Sequence, residues 1–144
     1  MALQPETAFR YRLINDAAVS AIISSRMFPH MPTQATTFPY MVFGRAATTQ
    51  HHKMGSTSNA ALRENDIQLA AYGTSEQYNT LKTLADEVRE SLDGFRGTIT
   101  VSGNSINFEM CHLTQETDGT LDPNDGAGTP LHFWEQTYGI AYQT

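Results

Sequence analysis

Residues 26–45 read RMFPHMPTQATTFPYMVFGR. The stretch joins the end of a helical start to a short strand, then to an extended crossing studded with Pro29, Pro32 and Pro39, and finally to a second strand. Proline has no N–H for a helix interior or a central ladder, so Pro29 and Pro32 stop the helical run and Pro39 fixes where the second strand begins. Tyr40 to Arg45 is rich in aromatic and branched residues. Met41 and Phe43 alternate with Tyr40 and Val42, so the strand is apolar on both faces and both are expected to be covered.

Working back from this stretch, Pro5 with Glu6 opens a first helix, with Phe9 and Leu13 four apart on its inner face. Asp16 caps a second short helical run, in which Val19, Ile22 and Ile23 have the spacing of a buried stripe. Working forward, residues 48–61 (TTQHHKMGSTSNAA) turn small and polar, which predicts a long mobile excursion. Asp66 to Tyr72 resumes as a strand, with Ile67, Leu69 and Ala71 on one face and Gln68 on the other. It is expected to form a long-looped antiparallel hairpin with Tyr40–Arg45.

Ser75 to Leu92 is the clearest helix, with Ser75 as N-cap, Glu76 in the first turn and Gly94 just past its end. Tyr78, Leu81, Leu84, Ala85, Val88 and Leu92 fall on one stripe, so the helix should lie on a sheet. Thr98–Val101 and Ile106–His112 flank Ser102-Gly103-Asn104, whose Gly and Asn tolerate positive φ, and make a second hairpin. Residues 117–130 (TDGTLDPNDGAGTP) offer little to bury and are expected to be a mobile loop. Leu131 to Tyr142 closes the chain as a strand carrying Phe133, Trp134, Tyr138, Ile140 and Tyr142. The sum is a single domain over residues 1–144 of the α+β class, with a mainly antiparallel β-sheet, helices packed on one face and long mobile loops.

Composition narrows the function. The 144 residues carry 15 acidic and nine basic side chains, a net charge of -6, and the nine basic residues never cluster, which argues against a tight grip on a nucleic-acid backbone. The single Cys111 excludes an intramolecular disulfide and a multi-thiolate metal site. No stretch approaches the roughly 20 apolar residues of a membrane span. The N-terminal residues lack a basic start followed by an apolar run, so the chain reads as neither secreted nor membrane-bound.

Candidate chemistry is sparse. Adjacent His51 and His52 suggest a metal or acid–base site. Two neighbours in a flexible polar loop rarely face one ion, however, and a solvated or partner-ordered loop is the plainer reading. Cys111 beside His112 suggests a thiol nucleophile, but on a strand the two side chains point to opposite faces. Asp118, Asp122 and Asp125 resemble a calcium loop only loosely, lacking the terminal Glu, and read as solvated turn residues. Trp134 and its aromatic neighbours lack the interleaved Lys or Arg of a base-stacking platform, so they read as core or subunit interface. There is no phosphate-cradling glycine loop and no G-x-S-x-G turn. The expectation is no enzyme, no cofactor and no metal.

The chain resembles the tail-completion, or tail-terminator, proteins of long-tailed bacteriophages and prophages. The resemblance rests on the short helix ending AVSAIISSRMFPHMP, the PYMVFGR strand, the IQLAAYG strand running into the SEQYNTLKTLADEVRESL helix, and the closing strand HFWEQTYGIAYQ, and it covers nearly the whole chain. It implies a virion structural protein, assembled in the host cytoplasm, that ends tail-tube polymerisation as a homo-oligomeric ring, commonly a hexamer. Its implied partners are copies of itself, the tail tube protein and a head-side connector or adaptor protein, with DNA passing through the lumen without specific binding. A neck head-completion or adaptor ring is the alternative within virion assembly. A small ligand-binding or metal-dependent module using His51, His52 and Cys111 is the distant one. If the ring reading holds, the 48–61 and 117–130 excursions are the candidate partner-docking segments, with His51, His52, Lys53, Met54, Asp118, Asp122 and Asp125 as their chemistry.

Overall fold

The computed structural model describes residues 3–29, 37–51, 62–121 and 130–143. Helix α1 (Pro5–Ile14) has its proline in the first turn and buries Ala8, Phe9 and Leu13. Helix α2 (Ala17–Ile23) starts where the Asp16 carboxylate accepts the amides of Ala18 and Val19, and it buries Val19 and Ile23. The short strand β1 (Met27–Pro29) follows, then β2 (Tyr40–His51) and β3 (Leu62–Thr74). Helix α3 (Tyr78–Leu92) leads into β4 (Gly97–Val101), β5 (Asn104–Leu121) and β6 (Leu131–Gln143).

The strands form one six-stranded sheet in the order β1-β2-β3-β6-β5-β4. Only β1 and β2 run parallel; the other neighbours are antiparallel. Helix α3 lies over β3, β5 and β6 and α1 over β2 and β4, so the helices share one face, as the α+β reading expects. The core is the layer between them. Leu81, Leu84, Ala85, Val88 and Leu92 of α3 meet Ile67, Leu69 and Ala71 of β3, Trp134, Tyr138 and Tyr142 of β6, and Phe108 of β5. Each such aliphatic or aromatic side chain contributes about 1.5–3 kcal/mol by leaving water.

Several boundaries differ from the sequence reading, each for a local reason. Strand β2 runs on from Arg45 to His51 because β3 offers paired backbone as far as Leu62; a bulge between Arg45 and Ala47 absorbs the register shift. Likewise β5 continues past His112 to Leu121, where β6 supplies partners down to Leu131, so residues 117–121 are strand rather than loop. The remainder of the two expected excursions, 52–61 and 122–129, lies outside the described residues.

The α3 region starts earlier than expected. Thr74, not Ser75, is the N-cap: it forms a capping box with Gln77 around a 3₁₀ turn over Ser75–Gln77, and its amide donates to the Gln77 side chain at 3.0 Å. Tyr78, expected on the buried stripe, is 47% exposed because this first turn lies at the sheet's end. In the β4–β5 hairpin the positive-φ pair is Ser102 (φ 51) and Gly103 (φ 82), while Asn104 pairs with Val101 as the first residue of β5. Two positive-φ residues are what a two-residue turn needs to match the strand twist.

Candidate functional site

Strand alternation sorts the sheet into an inner face under the helices and an outer face on which the described residues place no helix. On the inner face the β5–β6 hairpin is clamped to α3 by charge. The Arg89 guanidinium donates to both Glu116 oxygens at 2.8 Å and to Asp86 at 2.8 Å. Those carboxylates, Glu116 foremost, hold Arg89 in its charged form. Lys82 pairs with Asp118 about two helical turns earlier. Beyond them the Tyr78 ring meets His132 edge-on at 5.2 Å, and the Thr120 hydroxyl lies 3.3 Å from the same histidine.

Of the expected docking residues, Asp118 therefore sits in β5, engaged with α3. His51 closes β2 by its backbone. His52, Lys53, Met54, Asp122 and Asp125 lie outside the described residues. Cys111 and His112 do point to opposite faces: Cys111 is 2% exposed in the core and His112 is exposed. Burial above all, with Asp93 adding to it, pushes the thiol up to about 12, the opposite of what a nucleophile needs. Among the described residues no group of three His, Cys, Asp or Glu side chains is placed to hold a metal ion. Trp134 is core, 2% exposed, and its Nε1 has no hydrogen-bond partner among the described residues.

The outer face was not singled out by sequence. At one end an aromatic row crosses four strands: Phe28, Tyr40, Tyr72 and Phe133, with successive ring centroids 6.2, 5.5 and 6.2 Å apart. Burial, then the neighbouring Glu135 charge, raises the Tyr72 pKa. At the other end lies a trough of about 230 Å³ lined by Glu64, Asp66, Met110, His112, Thr114 and Gly139. Gly139 makes the trough: a Cβ there would lie 3.3 Å from both His112 and Thr114. Asp66 and Glu135 are exposed and make no ion pair among the described residues.

On the opposite side, Tyr11 stands 42% exposed on α1 between two anchored cations. Arg10 Nε donates to the Met27 carbonyl at 2.9 Å, and Arg12 Nε to the Ser91 carbonyl at 3.0 Å. Arg12 also stacks 3.9 Å over the Phe95 ring. A groove of about 400 Å³ runs beside Tyr11 between α1 and β4. Alternation along β5 and β6 marks which residues share the outer face but not the register that gathers them into the trough, and the Tyr11 knob has no comparable signal in a sequence read one element at a time.

The family model described as tail completion protein gp17 matches residues 7–121. Among solved structures, a chain of the virion of a native gene transfer agent (GTA) particle has the same fold, with a TM-score of 0.70 and 13% sequence identity over 97% of this chain and 95% of that one. No curated protein matches the chain.

Proposed function

The chain belongs to the tail completion protein gp17 family and is a structural component of the phage tail; from that premise we propose that it forms a ring, of about six copies, on the head-proximal end of the tail tube. The ring ends tube polymerisation and joins the tail to the head connector. The observation that carries this reading is the family match across 7–121, which spans every element from α1 to the end of β5.

The rest of the molecule supports a role in surfaces. Its one thiol is held protonated in the core, and the Lys82–Asp118 and Arg89–Glu116 ion pairs are struts between α3 and β5. Its partners are copies of itself, the tube protein and a connector or adaptor protein. The segments around His51–Met54 and Asp118–Asp125 dock to them. DNA crosses the lumen without specific contacts, in keeping with a net charge of -6 that offers phosphates little attraction.

The test is to add labelled protein to preassembled tail tubes and locate the label by negative-stain microscopy. Label confined to one end of each tube, with tube growth arrested at that end, is the expected result. Tubes that grow unlabelled would contradict the reading and favour a neck adaptor ring on the portal side.

A further inference from the structure

We infer that the ring contact is heterologous, with the Tyr11 knob of one copy seated in the outer-face trough of the next. The inference rests on the ring reading above and names the two surfaces that reading leaves open.

Three large hydrophobic side chains are conspicuously exposed among the described residues: Tyr11, Met110 and Tyr78. Tyr78 is engaged with His132 at the base of the β5–β6 hairpin. The other two mark patches on opposite sides of the molecule, Tyr11 on α1 outside the helical layer and Met110 in the trough on the outer sheet face.

The charges of the two patches are complementary. Around Tyr11 stand Arg10 and Arg12, which satisfy backbone carbonyls and have no carboxylate partner among the described residues. In the trough beside Met110 the outer face carries Asp66, and Glu135 stands on the same face four residues before Gly139 on β6. Among the described side chains of that face there is no Lys or Arg. Both guanidiniums are tethered at their Nε atoms, so little side-chain entropy remains to be lost when their outer nitrogens meet a carboxylate. A tyrosine flanked by arginines, entering a recess floored by a glycine, is the composition that concentrates binding energy at interfaces.

Placement on opposite faces determines the symmetry. A patch on the helical side meeting a patch on the bare sheet side cannot be self-complementary, so each copy presents one of each and the contact repeats head to tail. Such a contact either closes as a ring or runs on as a filament. A second copy is therefore the occupant the two surfaces select.

The test uses the full chain carrying Asn15→Cys beside the knob, Thr114→Cys in the trough or both, so that Tyr11 and Asp66 stay in place, treated with a short bis-maleimide under conditions where the solution mass shows oligomers. Both positions are exposed and the native Cys111 is shielded, so only the introduced thiols react. The double variant should give a ladder of covalent multimers ending at the ring. An equal mixture of the single variants should give covalent dimers, and each single variant alone should stay at subunit mass. Asp66→Lys, with its melting temperature checked against the parent, should weaken association about tenfold. Oligomers that form without a ladder, or single variants that cross-link alone, would overturn the inference while leaving the ring standing. A chain that stays monomeric even with tube protein would overturn the ring reading and this contact together.

Discussion

Gln136 on β6 donates its Nε2 to the carbonyl oxygen of Ala85 on α3 across 3.2 Å, a buried bond between a central strand and the middle of the helix. The same nitrogen donates to Glu116 at 3.0 Å, and the Tyr138 hydroxyl donates to Gln136 Oε1 at 2.8 Å. Gln136 is 0% exposed, so every polar atom of its amide must find its partner inside the protein.

Gln136→Leu keeps the volume but orphans the Tyr138 hydroxyl and removes a donor from Glu116. A loss of about 1–3 kcal/mol in urea unfolding is expected, the cost of leaving a buried polar group unsatisfied. A change under about 0.5 kcal/mol would mean that water replaces the amide.

Cys111 supplies a pH signature. Its folded-state pKa is raised to about 12 from the ordinary 9.0, so the thiol stays protonated in the fold while the unfolded chain ionises. The associated stability is fully present below pH 9 and is lost as pH rises from about 9 toward 12, with a ceiling of about 4 kcal/mol. Buried Tyr138 shifts in the same direction and steepens the fall. Thiol titration with a disulfide reagent at pH 8 should find no reactive group in the native protein and one after denaturation. Immediate native reactivity would contradict the burial.

In the β4–β5 turn, Ser102 occupies a φ of 51 that suits Asn or Gly better than a hydroxyl residue. Ser102→Asn is therefore expected to stabilise by a few tenths of a kcal/mol, and Gly103→Ala, at φ 82, to cost about 1–2 kcal/mol. Paired thermal melts read both; equal effects of the two substitutions would contradict the turn geometry.

Replacing residues 122–129 with a short Gly-Ser bridge leaves the Leu121–Leu131 pairing and the Asp118–Lys82 contact in place. The melting temperature should stay within about 2 °C of the parent while tube capping is lost. A fully active replacement would remove this segment from the docking surface.

Much of the architecture was legible because hydrophobic period and punctuation agreed. Asp16 as cap, Phe9 and Leu13 facing inward, the Leu81–Leu92 stripe and the strand entering after Pro39 all follow local rules. The ends of β2 and β5 were not, because residues 48–51 and 117–121 have loop-like composition and are strand only through backbone pairing with β3 and β6. Gln136 and Asp118 likewise look like surface residues until α3 is set over them. The trough required knowing that Asp66 and His112, 46 positions apart in sequence, both align with Gly139.

The central claim is that this chain closes into a ring, and solution mass over a concentration series, with and without tail tube protein, tests it most directly. A shift from 15.9 kDa toward about six times that mass, or binding restricted to tube ends, is the predicted result. A species that remains at 15.9 kDa at every concentration and ignores tube protein would contradict it.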